Sequence, residues 1–319
     1  MAMEYVKLGR SNLQVSRLCL GTWNMCGAGG WGPENDERSI DLIRRAQDDG
    51  CNFFDSAHGY GKGHSEEVLG RALAEGDRRE RAVVATKVVQ CPPKRVEAGL
   101  DAALQRLQTG YVDLYVVHWP RPSMSLEALL GRMCELKAKG KVREIGVSNF
   151  SLAQMQVALR YGAVSLQPPY NILWRIIEPD VLPFCRENNL AVTPYAPLAQ
   201  GLLTGRFTRA FEERTGVRKS NVLFEEPVFT EACRAVSLVD EIADARSCTS
   251  SQVALAWVLQ TNGVTVPIVG ISKWSHWQDN VGALKVRLTD EEYQRLSAAG
   301  MKVWQMLPQD ATMWGWKPE

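Results

Sequence analysis

The chain has 319 residues, of which 45% are hydrophobic, and its formal net charge is +1. This composition allows a sizeable core and excludes the strongly basic surface typical of a nucleic-acid groove or a binding site for acidic lipids. The 8 cysteines are scattered without a CxxC pair, which predicts reduced thiols in a reducing compartment. The N-terminus shows no apolar leader, and no run reaches the roughly 20 apolar residues of a membrane span, so we expect a cytoplasmic protein.

Strand-like and helix-like segments alternate along the chain. Residues 3–16 predict a β-hairpin that turns at residues 9–12 and could plug the bottom of a barrel. Eight apolar strands are then predicted at residues 17–20, 52–55, 82–87, 112–118, 144–147, 165–167, 191–194 and 265–269. The first five begin about 30 residues apart, which is the length of one strand-plus-helix unit.

Amphipathic helices are predicted between these strands. Ser151 with Gln154, and Thr289 with Glu292, match the capping box that opens a helix. The gap before the last strand is too long for an ordinary connection, and it contains two extra helices, at residues 228–246 and 249–260, after a polar loop.

The predicted strands are continuous apolar runs, which indicates burial on both faces. Eight such units in one chain predict an α/β fold, a (β/α)8 TIM barrel with an N-terminal β-hairpin and two extra helices. No linker interrupts the pattern, so we expect residues 1–319 to form a single domain.

Four polar residues lie at or just after predicted strand ends: Asp55, Tyr60, Lys87 and His118. The carboxyl ends of the strands of a parallel barrel face one bowl, so we expect these four side chains to meet there. A neutral tyrosine is a poor acid near pH 7, because its reference pKa is about 10. A buried lysine cation beside it favours the tyrosinate and lowers that pKa. The pattern therefore predicts a proton-donating site.

The segments around these four residues, and others that follow in order along nearly the whole chain, resemble the aldo-keto reductases. The resemblance is greatest to a bacterial branch similar to the inositol-operon reductases and the potassium-channel β-subunit relatives. The matching segments are residues 54–61, 65–66, 85–87, 113–120, 146–150, 167–171 and 195–205.

The resemblance implies NADP(H)-dependent, reversible reduction of an aldehyde or ketone to the alcohol. Tyr60 is then the general acid that protonates the carbonyl oxygen. Lys87 depresses the pKa of Tyr60, Asp55 keeps Lys87 charged and oriented, and His118 orients the substrate oxygen. General acids of this kind accelerate reactions by about 10²–10⁴-fold. The implied partner is a small carbonyl or alcohol molecule, with neither a nucleic acid nor a membrane.

The resemblance also implies contacts to the cofactor, in three groups. The first group would hold the nicotinamide: Ser148, Asn149, Gln167 and Tyr195. The second would follow the pyrophosphate: Leu198, Gln200, Gly201 and Leu202. The third would hold the adenosine and its 2′-phosphate: Gly270, Ser272, Lys273, His276, Asp279 and Asn280. An arginine that is common in the family where His276 stands is missing, so NAD(H) stays open as the less favoured cofactor. Some of these cofactor contacts have a structural alternative. Ser148 could only form a turn, Tyr195 could be a core residue, and the third group could be the start of an ordinary surface helix.

Tryptophans near the predicted bowl could form the substrate walls. Trp23 and Trp31 follow the first barrel strand, and Trp119 follows His118. Three more lie near the C-terminus, where they could fold over the bowl or pack against outer helices: Trp304, Trp314 and Trp316. Aromatic walls suit flat or ring-shaped carbonyl compounds.

Two other functions remain possible. A cofactor-sensing regulatory subunit on the same barrel would bind NADP, turn over slowly and assemble with a partner. A two-domain dinucleotide fold would use the GxGxxG pattern at residues 27–32, but Pro33 delays the helix that the pattern requires. No metal site is predicted, because the 4 histidines and 8 cysteines show no ligand spacing. The oligomeric state stays open.

Overall fold

The structure is a computed structural model that describes residues 3–27, 31, 35–88, 91–121, 125–205, 216–309 and 313. The chain begins with the predicted hairpin, formed by β1 (Tyr5–Lys7) and β2 (Gln14–Ser16). The two strands are antiparallel, with Val6 opposite Val15.

Eight parallel strands follow the hairpin and form one sheet, in the order β10-β3-β4-β5-β6-β7-β8-β9. Their bounds are β3 (Cys19–Gly21), β4 (Phe53–Asp55), β5 (Val83–Val88), β6 (Val112–Val117), β7 (Val142–Ser148), β8 (Ser165–Gln167), β9 (Ala191–Val192) and β10 (Ile268–Gly270). The sheet closes where Thr265 N donates to Val192 O at 2.8 Å and Ile268 N donates to Pro194 O at 2.8 Å. The (β/α)8 barrel predicted from the sequence is therefore confirmed.

Helices surround the sheet. In the described residues they are α1 (Asp36–Asp48), α2 (His64–Leu73), α3 (Val96–Leu107), α4 (Leu126–Ala138), α5 (Leu152–Arg160), α6 (Val181–Glu187), α7 (Val228–Ala245), α8 (Ser250–Gln260), α9 (Trp274–Gly282) and α10 (Asp290–Trp304). The two predicted capping boxes open α5 and α10, and a third, formed by Thr249 and Gln252, opens α8. None of the helices in the described ranges is long and apolar enough to cross a membrane.

The inside of the barrel is a separate core that the hairpin closes. Leu8 and Val15 are fully buried in one cluster with strand residues such as Phe53, Leu114 and Val116. Gly9 in the turn of the hairpin has a φ of +55° and lies close to the barrel. A Cβ atom at this position would be 2.5 Å from the carbonyl oxygen of Val164. The hairpin therefore covers the amino-terminal end of the strands and leaves the carboxyl ends open for a site.

Candidate active site

A cavity of about 1620 Å³ opens at the carboxyl ends of the barrel strands. Residues at or just after four strand ends line it: Asp55 at the end of β4, His118 just after β6, Gln167 at the end of β8 and Gly270 at the end of β10. The carboxyl ends of the parallel strands of a TIM barrel lie on one face, and enzymes with this fold have their active sites on that face.

Lys87 lies at the centre of the predicted proton-donating site. Its buried ammonium donates to Asp55 Oδ1 at 2.6 Å, to the carbonyl oxygen of Ser56 at 2.8 Å and to Tyr60 Oη at 3.0 Å. The three protons of the ammonium thus each have an acceptor, so its direction is fixed. Tyr60 lies five positions beyond the end of β4, on the turn before α2, and reaches back to the lysine.

Burial and charge set the ionisation of this pair. Burial raises the pKa of Tyr60 above its ordinary value, and the neighbouring Lys87 cation offsets only part of that rise. Burial works to lower the pKa of Lys87, but Asp55 and Tyr60 together outweigh it and raise that pKa. Lys87 lowers the pKa of Tyr60, as the sequence predicts, but burial outweighs this effect, so the net pKa of the resting phenol lies above its ordinary value. At neutral pH the pair is a neutral phenol beside a cation, and a neutral phenol is the form that donates a proton.

His118 completes the predicted group. Its ring meets the Tyr60 ring edge-on, with centroids 5.9 Å apart and an interplanar angle of 82°. Burial, with a smaller effect from Lys87, lowers the pKa of His118 well below its ordinary value. The imidazole is thus neutral at physiological pH and can hydrogen-bond to an oxygen without adding a second cation.

This neutral histidine predicts a loss of stability in mild acid. The unfolded chain binds a proton on His118 below its ordinary pKa of 6.5, whereas the folded chain resists it, so the free energy of unfolding falls as pH decreases through that value. Between pH 6.5 and 5.5 we expect this group to contribute a loss of about 1 kcal/mol. Urea unfolding of the wild type and of His118→Gln at both pH values measures it, since the variant should lose less stability. Equal losses would contradict the neutral assignment.

A second polar network adjoins the first. Tyr195 Oη donates to Asn149 Oδ1 at 2.9 Å, and Asn149 Nδ2 donates to Ser148 Oγ at 2.9 Å. Ser148 Oγ in turn donates to the carbonyl oxygen of Gln167 at 2.7 Å, and Gln167 Nε2 donates to Asp55 Oδ2 at 2.8 Å. The residues predicted to hold a nicotinamide are thus brought together, and Gln167 connects them to the carboxylate that holds Lys87.

The segment after β9 forms the next part of the wall. Leu198, Gln200 and Gly201 line the cavity, whereas Leu202 is fully buried in the core and its side chain is not part of the wall. Gln200 takes a left-handed backbone with φ 55°, and its Oε1 accepts from Asn221 Nδ2 at 2.9 Å. That contact fixes the amide, and the buried Gln200 Nε2 has no hydrogen-bond partner among the residues that the structure describes. A buried N–H without an acceptor fits an anionic ligand such as a pyrophosphate.

The residues after β10 close the far end of the cavity. The wall there includes Gly270, Ser272, His276, Asp279 and Asn280, and Asn280 is buried. Lys273 is the residue before α9, and its exposed side chain lies outside the cavity lining.

Polar residues that the sequence did not single out also line this end. Asn24 Nδ2 donates to the carbonyl oxygen of Ile271 at 2.6 Å, and Arg38 on α1 donates to the carbonyl oxygen of Ser272. Arg38 lies in a helix that reads as an ordinary amphipathic segment, so no spacing in the sequence identifies it.

The three predicted wall tryptophans all line the cavity. Trp23 stacks on Tyr60 with centroids 5.9 Å apart, and Trp31 meets Trp23 edge-on at 5.5 Å. Trp119 stacks on His118 at 5.8 Å. Trp304, by contrast, is buried at the end of α10 against Trp174, while Trp314 and Trp316 lie outside the described residues.

The glycine-rich pattern at residues 27–32 does not mark a two-domain dinucleotide fold. The sheet is an eight-stranded barrel, and Asp55 hydrogen-bonds to Lys87 and Gln167. Residues 28–30 and 32 lie outside the described part of the chain. No group of three or more potential metal ligands occurs among the residues that the structure describes.

Comparisons with known proteins agree with this geometry. The sequence model described as the aldo/keto reductase family matches residues 17–300. The aldo-keto reductase YhdN of Bacillus subtilis is 36% identical over 85% of this chain and 86% of its own length. An NADH-specific methylglyoxal reductase of Escherichia coli is 31% identical over 91% of this chain and 96% of its own. The solved structure of a glycerol dehydrogenase from Gluconobacter oxydans superposes with a TM-score of 0.84 at 31% identity, covering 95% of this chain and 96% of that one.

The chain belongs to the aldo-keto reductase family. Membership makes it an oxidoreductase of small carbonyl compounds that uses a nicotinamide cofactor. The barrel predicted from the sequence agrees with the fold of the solved relative.

Proposed function

We propose that the protein is an NADPH-dependent reductase of aldehydes or ketones, with Tyr60 as the general acid. The observation that carries the proposal is the 3.0 Å contact between Lys87 Nζ and Tyr60 Oη at the cavity wall, with Asp55 on the other side of the ammonium. Burial keeps the phenol protonated at rest, and the ammonium stabilises the tyrosinate that remains after the proton leaves.

The cavity wall supplies the groups that would hold the cofactor. Asn149, Gln167 and Tyr195 lie beside the proton-donating site and would hold the nicotinamide end. Gln200 would donate its unpartnered Nε2 proton to the pyrophosphate. The residues after β10 would hold the adenosine. When bound, the nicotinamide would supply the hydride that the carbonyl carbon receives.

The chain's own residues would then handle one proton. Tyr60 Oη donates it to the carbonyl oxygen as negative charge develops there, and the neutral imidazole of His118 orients that oxygen. Lys87 opposes the rise in the pKa of Tyr60 that burial causes, so the phenol stays acidic enough to react. Trp23, Trp31 and Trp119 would exclude water from the reacting carbonyl.

NADP(H) is favoured over NAD(H) because cationic and hydroxyl groups meet at the adenosine end, where a 2′-phosphate would lie. Arg38 and Ser272 line that end, and the exposed Lys273 follows Ser272 in the chain. Phosphate monoesters bind to such groups through charge-assisted hydrogen bonds. The methylglyoxal reductase of Escherichia coli is NADH-specific, so the two cofactors are compared in the assay of this chain.

Cofactor consumption by the wild-type enzyme tests the reaction directly. We expect aldehydes, ketones, keto-sugars or cyclic ketones to oxidise NADPH with kcat of about 1 s⁻¹ or higher, the ordinary range for enzymes. Absorbance at 340 nm follows the reaction, and parallel assays with NADH give the preference. Tight binding of NADPH without turnover of any carbonyl compound would instead favour a regulatory subunit. A mass above that of one chain on gel filtration would then support the regulatory role.

A further inference from the structure

Arg38 is the feature of the cavity that the reaction itself leaves unexplained. It lies in the first turn of α1, and its guanidinium reaches across to the segment before α9, where Nη2 donates to the carbonyl oxygen of Ser272. Arg38 and Ser272 line the same cavity as the proton-donating site, at its far end. One cation from α1 therefore faces the residues after β10.

The carboxylates next to Arg38 in the chain are committed elsewhere. Asp36 accepts from Arg71 at 3.0 Å and from His64 at 2.8 Å, and Glu37 accepts from Arg71. Within the described ranges, no carboxylate forms an ion pair with Arg38. Among the described residues, the hydrogen-bond acceptor of the Arg38 side chain is the neutral carbonyl oxygen of Ser272. The guanidinium therefore retains N–H groups that can bind an anion.

The groups around Arg38 suit a phosphate monoester. Ser272 Oγ lies 3.3 Å from His276 Nδ1, so a hydroxyl and an imidazole lie together in the segment whose carbonyl oxygen Arg38 contacts, and all three residues line the cavity. The nearby Asp279 accepts from Thr249 Oγ1 at 2.8 Å, which engages its carboxylate. Arginine binds a phosphate through two parallel N–H contacts, which a lysine cannot reproduce.

We propose that Arg38 recognises the 2′-phosphate of NADP(H) and sets the preference for this cofactor over NAD(H). The proposal rests on the proposed function, because a ligand must extend from the proton-donating site to the far end of the cavity. It assigns the selectivity to α1, in addition to the segment after β10. The contact with the carbonyl oxygen of Ser272 holds the guanidinium in place before the phosphate arrives.

Equilibrium binding tests the assignment without relying on activity. Isothermal titration of NADP⁺ and NAD⁺ compares the wild type with Arg38→Ala, Arg38→Lys and the control Arg44→Ala. Arg44 lies on the same helix, but its guanidinium binds the carbonyl oxygens of Ala72 and Arg71. We expect Arg38→Ala to weaken NADP⁺ binding roughly 10- to 100-fold, the range for losing hydrogen bonds to a charged group, and NAD⁺ binding by less than about twofold. Arg38→Lys should lose part of the affinity for NADP⁺. Arg44→Ala should bind both NADP⁺ and NAD⁺ with the affinity of the wild type.

A matched pair of fragments keeps the test decisive if Arg38→Ala does not fold. The wild type should then bind adenosine 2′,5′-bisphosphate at least about tenfold more tightly than 5′-AMP, because the two differ in the 2′-phosphate. Equal losses for NADP⁺ and NAD⁺ in Arg38→Ala, or equal affinity for the two fragments, would overturn the assignment of Arg38 while leaving the reductase intact. Failure of the wild type to bind either dinucleotide would overturn the proposed function as well.

Discussion

Replacing Tyr60 by phenylalanine is expected to lower kcat by about 10³-fold, with NADPH affinity within about twofold of the wild type. The variant keeps the ring that stacks on Trp23 and loses only the hydroxyl that receives a hydrogen bond from Lys87. General acids typically contribute about 10²–10⁴-fold, and the phenol of Tyr195 at the cavity wall donates its proton to Asn149 Oδ1 instead. Single-turnover reduction of the best aldehyde measures the chemical step, and quenching of tryptophan fluorescence measures cofactor binding.

A tyrosine on the outer layer supplies the control. Tyr293 on α10 shares a hydrogen bond with Thr261 at 3.0 Å and lies outside the cavity wall. Tyr293→Phe removes a hydroxyl of the same kind and should leave kcat within about twofold. If Tyr60→Phe retained a tenth or more of the wild-type rate, another group would be the acid.

Replacing Lys87 by methionine should lower kcat by at least about 10²-fold and move the alkaline limb of the pH profile to higher pH. Burial already raises the pKa of Tyr60, and the lysine is what opposes it. Without the cation the phenol becomes a weaker acid that holds its proton to higher pH. The pH dependence of kcat in the variant measures this change, and an unmoved or acid-shifted limb would contradict the role of Lys87.

Loss of stability complicates that variant, and a double variant separates the two effects. Removing Lys87 leaves the Asp55 carboxylate buried without its cation, which typically costs about 3–5 kcal/mol. Asp55→Asn combined with Lys87→Met removes the uncompensated charge, so we expect urea unfolding to show most of the stability restored. The rate should stay low in the double variant. Recovery of the rate together with stability would mean that Lys87 acts only on the fold.

The barrel and the central site were predictable because both follow from regular patterns. Parallel strands buried on both faces appear as continuous apolar runs, and polar residues such as Asp55 and Lys87 at their ends are conspicuous. Tyr60 was harder to place, since it lies on the turn after the strand, but its spacing from Asp55 within the family motif identified it. The capping boxes of α5 and α10 were also readable, since each needs only two residues at fixed spacing.

Other features depend on how distant elements pack. Arg38 reaches the cavity because α1 lies beside the segment after β10, a relation between residues 38 and 272 that no local pattern contains. The exposure of Lys273 and the burial of Leu202 depend on the direction of single side chains in irregular segments. The pKa of Tyr60 depends on the balance between burial and the charges of Lys87 and Asp55, and a sequence does not provide these magnitudes.

The pairing of the first barrel strand with the last one affects how the chain folds during synthesis. β3 pairs with β10, so Leu20 meets Val269 across almost the whole length of the chain. Long-range pairings of this kind are slow, because a large loop must be closed before any contact compensates for it. The segments that carry Asp55, Lys87 and His118 leave the ribosome early, whereas β10 and the residues proposed to hold the adenosine emerge last. Premature termination before residue 265 would therefore release a sheet with two exposed edges, at β3 and β9.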